Sequence, residues 1–77
     1  MTSARTASRT ARAVVTPPLR THRTWAGLSQ DDLAAKAGVS RVTIARAERG
    51  LPIRISTVRK LALALRLKPK DLLEAPK

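Results

Sequence analysis

In 77 residues the chain sets 16 Lys and Arg against 5 Asp and Glu, a formal net charge of +11, which calls for a polyanionic partner, either nucleic acid or an acidic membrane surface. The length supports at most one domain with a small core, and the absence of cysteine excludes a disulfide framework or a cysteine zinc site and makes a reducing cytoplasm the easier compartment. One histidine, no tyrosine and five acids are too few for nucleophilic or general acid–base chemistry, so no catalytic residue, metal or cofactor is assigned, and Trp25 as sole aromatic favours duplex DNA over stacked single strands.

Residues 1–17 consist largely of Thr, Ser, Ala and Arg, with Arg5, Arg9 and Arg12 and no acid, and are expected to form a flexible basic arm. A leader without specific role, an organelle transit peptide, and an arm that adds phosphate contacts or enters a minor groove are the open readings of it. No stretch approaches the roughly 18 to 20 apolar residues of a membrane-spanning helix, and the amino terminus lacks the apolar region of a secretory signal.

Residues 18–75 read as one helical domain. Pro18 suits the first turn of a helix running to about Ala26, which Gly27 closes, with Leu28 as the apolar residue after the cap. Ser29 and Asp32 have the spacing of a capping box, so a second helix starts near Gln30. Leu33, Ala34 and Ala37 share one side of it, and Gly38 supplies the left-handed residue that ends it.

Ser40 can cap a third helix. At 100° per residue Arg41, Val42, Ala45, Arg46 and Arg49 share one arc, while Ile44, Ala47 and Glu48 share the other. Gly50 ends this helix, and Leu51 to Ile55 form a loop containing a proline. Ser56 is expected to cap a fourth helix whose buried stripe is Val58, Leu61, Ala62 and Leu65. Pro69 opens a short fifth helix with Leu72 and Leu73. The expectation is a compact all-α domain of five helices, with no strand signal and no internal repeat.

This pattern resembles the helix-turn-helix DNA-binding domains of the phage repressor and Cro type (XRE-like), including restriction-modification controller proteins. The resemblance runs from about Leu19 to Leu73. It rests on Arg23, Gly27-Leu28-Ser29-Gln30, Leu33-Ala34, Ala37-Gly38-Val39-Ser40, Ile44, Glu48, Gly50, Leu61-Ala62 and Leu65.

It implies that the third helix, about residues 41–49, lies in the major groove with Arg41, Val42, Ala45 and Arg46 facing bases. Arg41 suits a bidentate contact to guanine O6 and N7, and Val42 can meet a thymine methyl. The plainer alternative is that the arginines only neutralise phosphates. Gln30 matches a glutamine that bonds phosphate and supports the first residue of the reading helix; Ser40, Thr43, Arg49, Arg54 and Ser56 supplement it at phosphates. The resemblance also implies an Arg23–Glu48 pair tying the first helix to the third, with a structural rather than catalytic role.

Three residues depart from the family pattern. His22 stands where an aliphatic core residue is usual and is expected to be a partly buried packing residue. Trp25 stands where the family is polar or small, and is expected to lie against the surface of the first helix or to touch a partner. Leu63 points away from the buried stripe, either as a lone exposed leucine or as part of a subunit interface.

The implied function is sequence-specific double-stranded DNA binding by a repressor/Cro-like transcriptional regulator, in the cytoplasm of a bacterium or phage-infected host. Two half-sites would be read if a homodimer forms through the C-terminal helices. The alternative is an antitoxin, or a controller of a toxin–antitoxin or restriction-modification system, binding a small protein partner as well as its own promoter. A cationic membrane-surface protein is disfavoured, because the outer faces are too polar and too poor in aromatic anchors.

Overall fold

The computed structural model describes residues 13–74. In chain order these form β1 (Ala13–Val14), α1 (Leu19–Trp25), α2 (Gln30–Ala37), α3 (Arg41–Glu48), β2 (Ile53–Arg54), α4 (Ile55–Ala64) and α5 (Pro69–Leu73).

Local chemistry sets most helix ends. The Ser29 hydroxyl accepts the Asp32 backbone N–H at 2.9 Å, and the Ser29 N–H donates to Asp32 Oδ2 at 3.0 Å. This capping box satisfies two backbone donors at the start of α2. Ser40 Oγ likewise accepts the Thr43 N–H at 3.1 Å and starts α3. Between them Gly38 takes the left-handed conformation, φ 71°, and lets the Val39 N–H donate back to the Ala34 carbonyl at 3.1 Å. That reversal is what sets α3 against α2.

The core draws one or more residues from every helix. Leu19, Leu33, Ile44, Leu61 and Leu72 are wholly buried, with Val58, Ala47 and Ala62 around them. Full burial of each large aliphatic side chain contributes about 1.5–3 kcal/mol. α2 packs on α3 and α4, α5 packs on α4, and α1 reaches α3. Among the described residues no helix is long and apolar enough to cross a membrane.

The structure corrects several expectations. The chain is not purely helical, for β1 pairs antiparallel with β2, Ala13 opposite Arg54 and Val14 opposite Ile53. Residues 13–17 therefore do not belong to a flexible arm: Thr16 is 1% exposed, and its carbonyl accepts the Leu19 N–H at 3.2 Å. The arm positions Arg5, Arg9 and Arg12 lie outside the described residues.

Ser56 does not cap the fourth helix. β2 holds Arg54 extended (φ −67°, ψ 147°), so Arg54 is the N-cap, without a side-chain cap bond, and Ser56 falls in the first turn. Leu65 is half-buried at the C-terminal cap, while Ala64 is buried. Leu73 is exposed next to the buried Leu72. Trp25 is 84% exposed, far round the helix from Leu19 and Arg23, so little of its ring is packed against α1. His22 is half-buried.

Candidate nucleic-acid interface

The inner side of α3 is fastened at its last residue. The Glu48 side chain is wholly buried and accepts from four donors. Arg23 Nε donates to Oε2, and Arg23 Nη2 to Oε1 at 3.0 Å. Gln30 Nε2 and Arg20 Nε also donate to Oε1, at 3.0 and 3.3 Å. Arg23 spends its remaining arm on the Leu28 carbonyl, Nη1 to O 2.8 Å. One carboxylate thus joins α1, the start of α2 and the end of α3, and Arg23 also pins the connection from α1 to α2.

Burial alone would push the Glu48 carboxyl up. The hydrogen bonds from Arg23 and Gln30, the Arg23 charge and the Arg20 bond outweigh it and hold the carboxyl below its ordinary value. Arg23 is raised, chiefly by its bond to Glu48, against the opposing effect of burial. Arg20 was not singled out in the sequence, although it lies three residues before Arg23 and so on the same side of α1.

The outer side of α3 presents Arg41, Val42, Arg46 and Arg49, all exposed, with Ala45 half-buried beside them. The Ser40 and Thr43 hydroxyls are bonded to each other at 2.9 Å, which gathers two hydroxyl oxygens at the amino end of α3. Thr43, Arg46 and Arg54 share the wall of one open cleft beside α3, together with Leu51, Pro52 and Ile53. The β1–β2 pairing holds Arg54 in place there.

Two further site residues are less simply disposed. Ser56 is exposed in the first turn of α4, and the neighbouring Thr57 lines the cleft. Gln30 is half-buried, with its amide nitrogen on Glu48.

Arg41 has a partner that the sequence pattern did not indicate. Its Nε lies 3.2 Å from Asp31 Oδ1, in an exposed ion pair between the first turns of α2 and α3. The two residues are ten apart across a turn, so no helical spacing announces the contact.

A helix-turn-helix family model matches residues 19–72, from α1 into α5. Similar solved structures include the hypothetical transcription factor NHTF from Neisseria, 34% identical with a TM-score of 0.70 over 75% of this chain and 68% of that one. The restriction-modification controller protein C.AhdI from Aeromonas hydrophila is 40% identical, with a TM-score of 0.67 over 70% of this chain and 83% of its own. The biofilm master regulator SinR, solved in complex with DNA, is 28% identical with a TM-score of 0.68, covering 73% of this chain and 92% of its own. No curated protein matches the chain significantly. The helices, the turn at Gly38 and the family match agree: the chain belongs to the XRE-type helix-turn-helix family of DNA-binding transcription regulators.

Proposed function

We propose that this regulator binds duplex DNA sequence-specifically, as a repressor of the Cro type, with α3 in the major groove. The observation that carries the reading is the outer face of α3. Arg41, Val42 and Arg46 stand exposed on a helix whose inner residues Ile44, Ala47 and Glu48 are buried. A helix so fixed can offer these side chains to base edges without first being ordered.

Arg41, Val42, Ala45 and Arg46 are the base readers in this proposal. Ser40, Thr43, Arg49, Arg54 and Ser56 contact phosphates, and Gln30 does so with the amide hydrogen that Glu48 does not take. Exposed Leu63 and Leu73 on the C-terminal helices support a homodimer, whose half-sites would lie about 34 Å apart. The setting is the cytoplasm of a bacterium or phage-infected host.

Selection of bound duplexes from a random pool tests the reading. Wild type should yield one narrow motif, and Arg41→Ala and Arg46→Ala should each lose preference at one or two base pairs, a discrimination of about 1–3 kcal/mol per contact. Equal affinity for all sequences would end the proposal. Replacing a phosphate-contacting residue such as Arg54 should instead weaken all duplexes alike and lower the salt slope by about one.

The 40% identity to a restriction-modification controller favours one second reading, a controller or antitoxin that binds its own promoter and a small protein partner. Stoichiometric copurification of such a partner from the native host would select it.

A further inference from the structure

We infer that Asp31 is a positioning residue for specificity: its carboxylate holds the Arg41 guanidinium in the pose from which Arg41 reads a base pair, while weakening indiscriminate attraction to phosphate. The inference rests on the reading of Arg41 proposed above.

The geometry is a contact between Asp31 Oδ1 and Arg41 Nε at 3.2 Å, with the two side chains 80% and 55% exposed. An ion pair this exposed adds little to the stability of the fold, so stability does not explain it. Three other acids of the described chain have structural work. Asp32 caps α2, Asp71 accepts the Lys68 N–H at the start of α5, and Glu48 is the buried junction. Asp31 instead lies beside the exposed amino end of α3, where a carboxylate opposes a polyanion. A surface built only to neutralise phosphate would bind better without it.

The contact falls on Nε, as an ion pair and not as an aligned hydrogen bond. Nη1 and Nη2, the two donors that a bidentate contact with guanine O6 and N7 can use, stay available to a base. An exposed pair biases this long side chain toward one pose by at most about fivefold, which reduces part of the ordering that binding must impose. Gln30, the other polar side chain at this end of α2, is turned onto Glu48 and leaves the orientation of Arg41 to Asp31.

The test uses the duplex that wild type selects from a random pool, its single-base-pair variants and an unselected random duplex. Dissociation constants are measured for wild type, Asp31→Asn, Arg41→Ala and the double variant, with melting temperatures alongside. Asp31→Asn should melt only slightly below wild type, by the loss of a first-turn acid of α2 and its small helix-dipole effect, and bind the random duplex severalfold tighter. It should lose severalfold, up to about fivefold, of the discrimination at the same base pair where Arg41→Ala loses it. In the Arg41→Ala background the Asp31 change should still tighten random binding but leave base preference untouched.

Wild-type discrimination by Asp31→Asn, or equal tightening on every duplex, overturns the inference and leaves the reading of Arg41 standing. Wild-type preference in Arg41→Ala overturns both. Asp31→Ala, which removes the carboxylate without an amide in its place, should repeat the Asp31→Asn pattern.

Discussion

Glu48 sits where the stability of the domain and the placement of its reading helix meet. Its wholly buried carboxylate accepts from Arg23, Gln30 and Arg20, and removing a partner from a buried pair costs about 3–5 kcal/mol. Arg23→Ala should therefore lower the melting temperature, followed by circular dichroism, before it alters which sequence is bound. Loss of DNA binding at an unchanged melting temperature would contradict that order. The same carboxyl makes stability depend on acid. Against the upward push of burial, its bonds and the Arg23 charge hold it below its ordinary value when folded, so it adds stability above the unfolded value of about 4.3, and the contribution is lost as pH falls through the lower folded value. Asp32, lowered first by the Ser29 backbone N–H, acts in the same direction. Melts from neutral pH downward should thus show a drop that begins near the unfolded carboxyl range. Glu48→Gln should start lower and drop less, and parallel curves would exclude Glu48 as a source. Thr16 is the opposite case: it is 1% exposed, and its hydroxyl has no partner among the described residues. A buried hydroxyl without a bond is a cost of about 1–3 kcal/mol, so Thr16→Val should raise the melting temperature, and a fall would reveal a partner for it.

At the scale of the elements, α4 closes like α2 but with a less suitable residue. The Leu67 N–H donates to the Ala62 carbonyl at 2.8 Å and the Arg66 N–H to the Leu63 carbonyl at 3.1 Å, which places Arg66 in the left-handed region at φ 59°. A side chain there costs roughly 1–2 kcal/mol. Arg66→Gly should stabilise the domain by about 0.5–1 kcal/mol once the extra entropy of unfolded glycine is subtracted. Gly38→Ala should do the reverse, although a Cβ at Gly38 would meet nothing within 4 Å; the backbone conformation alone is the penalty. Urea denaturation of both variants reads these differences, and matching midpoints would sink the argument. These elements also separate what the sequence tells from what it conceals. Ser29, Ser40 and Gly38 could be read in advance because a cap or a left-handed stop is local chemistry, and Leu33, Ile44 and Leu61 because helical spacing puts them on one side. β1 could not: it is two residues long, with no hairpin turn, and its partner lies some forty residues on. That tertiary pairing also sets the start of α4 ahead of Ser56. The Arg23–Glu48 pair is legible through the family resemblance and is present, whereas Arg20 and Gln30 on Glu48 and Asp31 on Arg41 depend on how three helices converge, which no spacing along one helix encodes.

For the molecule as a whole, β1 joins two properties that composition presents as one stretch of basic chain. With a net charge of +11, affinity for duplex DNA should fall steeply with salt, each phosphate neutralised contributing about 0.9 to the slope of log affinity against log salt. Arg5, Arg9 and Arg12 precede β1, whereas Thr16 is buried in the domain and Val14 pairs with Ile53. Two truncations separate these contributions. Removing residues 1–12 takes away three arginines and spares β1, so an arm that touches phosphate should reveal itself as a slope reduced by about one for each phosphate it had neutralised, with the selected motif unchanged. Removing residues 1–16 also takes away β1, uncovers the 7% exposed Ile53 and loosens the segment that holds Arg54 at the cleft. That shorter chain should melt at a lower temperature than the first truncation and bind DNA more weakly than the missing charge alone explains. An unchanged slope after the first cut would place the arginines outside the binding mechanism. Equal melting temperatures after the two cuts would mean that the β1–β2 pairing contributes nothing to the stability of the domain.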